Sequence, residues 1–137
     1  MAGERALWKY LQVGMRGQWN AQRHEDLCSS GIPDLSYAIS GTDGWIELKS
    51  LDLPRDFVKP GLSKGQMIWL TQRGRTGNGN CFILLRVGKE HLLFSWRNAE
   101  ILTERQSIVK LRDKAIRRWA SGVDFNDLAR FLADPTE

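Results

Sequence analysis

Apolar residues recur along this chain with two different periods, and the switches between them mark out its elements. Leu7, Tyr10 and Leu11 stand three and four apart, one stripe of a helix over 4–13, which Gly14 and Gly17 close. Residues 18–25 follow as a first strand, and Asp26 to Gly31 as a turn or loop. Leu35, Tyr37 and Ile39 alternate with smaller residues, which predicts a second strand over 34–39. Gly41-Thr42-Asp43-Gly44 is the clearest turn signal and predicts a hairpin into a third strand, Trp45 to Leu51. Pro54, Pro60 and Gly61 make 52–62 a loop.

Ser63 with Gln66 three residues later has capping-box spacing, so a helix begins there and runs to about Gln72. Arg73 to Gly79 then reads as a flexible basic loop, with Gly74, Gly77 and Gly79 breaking the chain. Cys81 to Val87 is a continuous apolar run, the mark of a strand buried on both faces. Gly88-Lys89 turns into a further strand, Leu92 to Trp96. Thr103 and Gln106 repeat the cap spacing before a helix of about 104–120, ended by Gly122; Asp124 caps a last one through Leu132. The order predicts an α/β or α+β chain with a mixed sheet, because the 41–44 turn is too short for a parallel crossover.

A length of 137 residues suits one domain with one core, and 42% hydrophobic residues can fill it. The net charge of +4 permits a nucleic-acid partner without requiring one. Much of the excess sits in 105–118, where Arg105, Lys110, Arg112, Lys114, Arg117 and Arg118 oppose only Asp113. Ile108, Leu111, Ala115 and Trp119 give that segment an apolar stripe, so it reads as an amphipathic helix whose outer face can track phosphates. Cys28 and Cys81 are too few for a disulfide framework and are read as reduced thiols of a cytoplasmic protein. No apolar run approaches the ~20 residues of a membrane span, and nothing at the N-terminus reads as a signal peptide. His24 and His91 have no spacing partner and read as structural or surface residues. Six tryptophans are mostly core; Trp45 alone shares a face with charged residues.

Those charged residues are the departure from pattern. On a strand, Glu47 and Lys49 point to one face about 6–7 Å apart, while Ile46 and Leu48 point to the other. Asp34 opens the neighbouring strand of the hairpin. Two carboxylates can hold Mg²⁺, a hard cation that prefers oxygen ligands. An ammonium beside them can orient an attacking water or offset charge on a phosphoryl group. The backbone carbonyl of Leu48, between the two side chains, is an expected extra ligand.

Pro33-Asp34, twelve intervening residues, then Glu47-Leu48-Lys49 resembles the PD-(D/E)xK nuclease signature. The flanking Gly31-Ile32-Pro33-Asp34-Leu35 and Trp45-Ile46-Glu47-Leu48-Lys49-Ser50 are similar to VRR-type nuclease domains and phage-encoded relatives, and archaeal-type Holliday junction resolvases share that core. The resemblance covers about 4–95 and implies a restriction-endonuclease-like αβββαβ core, with 96–137 as a helical C-terminal extension. It implies a Mg²⁺-dependent endonuclease (Mn²⁺ substituting) acting on DNA, with structure-specific cleavage of branched or junction DNA as one version and cutting of duplex DNA as another, as a homodimer in the cytoplasm, the host's for a phage protein. Catalytic residues would be Asp34, Glu47, Lys49 and Gln66, and Glu4 would complete the metal site, with Glu25 as competitor. Arg23 matches a position where such resolvases keep a basic residue; Arg5, Lys64, Arg73 and Arg75 join it as candidate DNA contacts. The alternative is a nucleic-acid-binding module on a nuclease fold that has lost catalysis.

Overall fold

A computed structural model describes residues 3–24 and 31–135. Helix α1 (Glu4–Gly14) leads into strands β1 (Asn20–Arg23), β2 (Leu35–Ile39) and β3 (Thr42–Leu51). A two-residue strand β4 (Phe57–Val58) precedes helix α2 (Lys64–Thr76), then strands β5 (Cys81–Val87) and β6 (Glu90–Ser95). Two 3₁₀ turns follow, then strand β7 (Gln106–Ser107), helix α3 (Ile108–Lys114), strand β8 (Arg117–Trp119) and helix α4 (Phe125–Ala133). The main sheet has six strands in the order β1-β2-β3-β5-β6-β8, and β4 pairs with β7 apart from it. Only β3 and β5 run parallel, joined through α2; the rest of the main sheet is antiparallel. This is the mixed sheet expected from the pattern, with the αβββαβ order implied by the resemblance.

Each face of the sheet has its own apolar layer. Leu35, Tyr37, Ile39, Ile46, Leu48, Phe82 and Leu84 pack under α1 and α4. Cys81, Ile83, Leu85, Leu92 and Phe94 pack under α2, the 3₁₀ turns and α3. Leu70 of α2 is fully buried there. Burying five such side chains is worth roughly 1.5–3 kcal/mol each, so β5, with no polar residue from Cys81 to Leu85, is fixed at the sheet centre. Cys81 is a free, buried thiol, as read from the sequence, while Cys28 lies outside the described residues.

Three boundaries differ from expectation. The β2–β3 turn is Ser40-Gly41, not 41–44; both have positive φ (48° and 81°), as a two-residue hairpin of matching twist requires. That starts β3 at Thr42, so Asp43 and Gly44 are strand residues. Helix α2 continues through Thr76, so Arg73 and Arg75 stand on its last turn and not in a loop. The expected helix over 104–120 does not exist as one element. Its N-cap is Ser107 instead of Thr103, it ends at Lys114, and Arg117–Trp119 is a strand on β6.

The basic stripe disperses with it. Arg112 and Arg118 both bond Glu90, Arg117 approaches Asp127 at 3.8 Å, and the Arg105 guanidinium lies over Phe57. A continuous basic face along 105–118 is therefore absent. Among the described residues, no helix is long and apolar enough to cross a membrane.

Candidate active site

The local sequence explains how the charged residues reach one another. Leu35 pairs with Ile46, so Asp34 stands opposite Glu47, just past the end of β2. The side chain of Asp34 takes over where the ladder stops. Its Oδ2 accepts from the Leu48 amide at 2.8 Å, and its own amide donates to Glu47 Oε1 at 3.1 Å. The N–H and C=O of one strand residue point the same way. The Leu48 carbonyl therefore faces the gap beyond β2 that its amide faces. Asp34 is held there by Gly31, whose φ of 100° and approach to the Gly65 carbonyl leave no room for a Cβ.

Glu47 is 1% exposed. Its Oε2 accepts from Gln66 Nε2 at 2.8 Å and lies 3.4 Å from Lys49 Nζ. Gln66 serves two masters at once: its Oε1 closes the capping box on the Ser63 amide at 2.9 Å, while its amide nitrogen fixes Glu47. The start of α2 and the middle of β3 are thus locked by one side chain. Sequence spacing found Gln66 as a cap and a family position; its bond to Glu47 needed the fold.

Burial raises the pKa of Glu47 to about 8, with the nearby Asp34 charge adding to the rise and Lys49 opposing it. Asp34 is also raised, first by burial; the Leu48 amide and Lys49 pull it down, while Glu4 pushes it up. A buried Glu47 and a part-buried Asp34 thus share one end of β2, and the charge of Asp34 disfavours ionisation of Glu47. The consequence for stability has a definite sign. A pKa raised above its unfolded 4.5 gives stability that is full in acid and is lost as pH rises toward 8. In EDTA, wild type should therefore lose a few kcal/mol relative to Glu47→Gln between pH 5 and 9. Urea unfolding of both proteins measures the difference, in which other titrations cancel; parallel curves would show Glu47 ionised throughout.

The remaining predicted residues divide. Glu4 opens α1 and is exposed; its charge reaches Asp34, but among the described residues no three His, Cys, Asp or Glu side chains close into one group. Glu25 lies outside the described residues. Arg23 is an electrostatic neighbour of Asp34. Arg5, Lys64 and Arg75 are exposed on helices α1 and α2. Two carboxylates with the Leu48 carbonyl facing the same gap fit a hard cation that keeps several of its own waters.

An aromatic group stands beside this centre. Trp45, on the face of Glu47 and Lys49, meets Trp69 edge-on at 5.1 Å and His24 at 5.2 Å. Arg73 lies 4.6 Å over Trp69 and 5.4 Å from Trp45. His24 also contacts Ser36 Oγ at 2.9 Å, and its amide donates to the Asp34 carbonyl at 2.8 Å. Neither His24 nor Trp69 had a sequence signal, since each is a single residue on a separate element.

No family model matches the chain, and no curated protein matches it. Among solved structures, the fold is similar to that of Hjc from Archaeoglobus fulgidus, a Holliday junction resolvase from an archaeal hyperthermophile. The match has a TM-score of 0.50 at 20% identity, over 69% of this chain and 74% of that one. At that identity the likeness is one of fold.

Proposed function

We propose that this chain is a metal-dependent endonuclease that hydrolyses phosphodiester bonds of DNA and prefers branched or junction DNA. The observation that carries the reading is the meeting of buried Glu47 and part-buried Asp34 with Lys49 and the Leu48 backbone at one end of β2. The resolvase-like fold supports it, since the neighbour's name gives a nuclease of junctions. Asp34, Glu47 and the Leu48 carbonyl would hold Mg²⁺ or Mn²⁺, with Glu4 or Glu25 as the outer acid. When bound, such an ion stabilises charge on phosphoryl oxygens and acidifies a water.

The chain's own residues do the rest. Gln66 and the Asp34 amide aim the Glu47 carboxylate, so its position does not depend on the ion. Glu47 gives up its proton as the site fills, which couples affinity to pH. Lys49 keeps its ammonium at the same carboxylate, placed to orient the attacking water and to offset charge on the phosphoryl group. Arg23, whose charge reaches Asp34, would contact the phosphates together with Arg5 and Lys64. The reading extends to a homodimer, because cutting two strands symmetrically needs two sites about a two-fold axis. The setting we infer is the cytoplasm, the host's for a phage-encoded chain.

The test is a panel of plasmid, linear duplex, flap and four-way junction with Mg²⁺, Mn²⁺ or EDTA. Cutting with either metal, none in EDTA and the fastest rates on branched DNA are expected. Tight binding with a steep salt dependence but no cutting of any substrate would instead mark an inactive binding module.

A further inference from the structure

Helix α2 covers β3 and β5 but stops short of β1 and β2. On that uncovered side lies a cleft of about 600 Å³, floored by β1, β2 and β3 and walled by the end of α2. Its size falls within the roughly 300–1,000 Å³ of ligand sites. It is continuous with the candidate active site, because Trp45 lines it and stands on the same face as Glu47, two residues and about 7 Å away along the strand. One extended nucleotide spans that distance.

The lining has the chemistry of a nucleotide. Arg73 presents a guanidinium held flat by Trp69 and Trp45, and makes no hydrogen bond or ion pair among the described residues. An arginine preset in this way is ready for a phosphate. Asn20 and Gln22 stand side by side on the floor, opposite Ala38 and Ser36, with both carboxamides exposed. Carboxamides pair with base edges. Asp43, at the far end, repels a phosphate but accepts from an exocyclic amino group. Arg73 lies over Trp45, and Trp45 stands two residues nearer Glu47 along β3 than Asp43 does, so cation and acid follow one another along the cleft.

We infer that this cleft holds a single unpaired nucleotide adjacent to the scissile phosphate, with its phosphate on Arg73 and its base between Trp45 and the Asn20–Gln22 amides. The inference rests on the nucleic-acid reading above and adds a substrate class to it. A base inside a stacked duplex cannot enter, so DNA with a displaced base at the cut is favoured over continuous duplex.

Binding in EDTA tests it without cutting. The full chain is titrated into three labelled DNAs: a nicked duplex with a one-nucleotide flap, the same flap made abasic, and a continuous duplex. The flap should bind about tenfold tighter than its abasic counterpart, the scale of one base–aromatic contact. Ala38→Trp, which fills the cleft from an exposed position, should abolish that preference, whereas Arg73→Ala should weaken binding of base-bearing and abasic flaps alike. Equal affinity for base-bearing and abasic flaps overturns the inference. A parallel cleavage assay in Mg²⁺ keeps the two readings apart. Cutting without base preference removes the cleft alone, and base preference without cutting upholds the cleft while removing the nuclease.

Discussion

Asn in place of Asp34 is expected to lower metal-dependent cutting by on the order of a thousandfold while leaving the fold intact. The argument separates two jobs of one side chain. Asp34 Oδ2 accepts from the Leu48 amide at 2.8 Å, and an Asn carbonyl oxygen can accept the same bond. The geometry of the β2 end is therefore retained. What disappears is one of the two negative charges that face the gap, and with it the cation affinity. Removing that charge also relieves Glu47, whose pKa Asp34 helps to raise, so the metal-free variant should be at least as stable as wild type. Calorimetric titration with Mg²⁺, single-turnover cleavage and circular dichroism read the three consequences separately. Lys49→Ala provides the contrast, because it should still take up the ion and fail to cut. An Asp34→Asn protein that cuts at the wild-type rate would remove Asp34 from the site.

The centre was legible in the sequence because a strand alternates its faces. Glu47 and Lys49 on the side opposite Ile46 and Leu48 had to share an environment, and the hairpin had to put Asp34 on the strand beside them. A turn on 41–44 would set Asp34 opposite Leu51; the observed turn at Ser40-Gly41 moves the register by four residues and brings Asp34 to Glu47, and because the shift is even each side chain keeps its face. The C-terminal third was read wrongly for an equally physical reason. Ile108, Leu111, Ala115 and Trp119 have helical spacing, but Ile108 and Leu111 belong to the layer under α2, whereas Trp119 belongs to the layer under α1. One straight helix cannot serve both faces of a sheet. The chain must pass the sheet edge, and it does so as β8, which satisfies β6 with bonds a helix would leave unmade. No glycine or proline marks the break at Ala115. The signal lies in the open edge of β6, which local periodicity does not record.

That crossing creates the second large expectation. Glu90 opens β6, is 9% exposed, and receives Arg112 of α3 on both carboxylate oxygens at 2.9–3.2 Å. Arg118 of β8 adds a bond to Oε2 at 2.6 Å. One carboxylate thus ties together the three elements on which the crossing depends. Both arginines keep contact with water, so solvent screens the clamp and breaking it should cost about 1–2 kcal/mol. Glu90→Gln keeps the shape and loses the charge, and urea unfolding at pH 7 should reveal most of that loss. The pH dependence runs opposite to that of Glu47. Although burial alone would raise it, the bonds from Arg112 and Arg118 hold the Glu90 carboxyl below its usual range. Its contribution is therefore present above the ordinary carboxylate pKa and is lost as pH falls through the lowered value. The gap between wild type and Glu90→Gln should narrow in acid, whereas the gap between wild type and Glu47→Gln opens in alkali. Two buried glutamates in one sheet then separate by sign: Glu90 has its counter-charge built into the fold, and Glu47 must obtain the rest of its own from outside. Gaps of the same sign for both would mean that Glu47 is another structural ion pair, and the case for a cation site would fall with it.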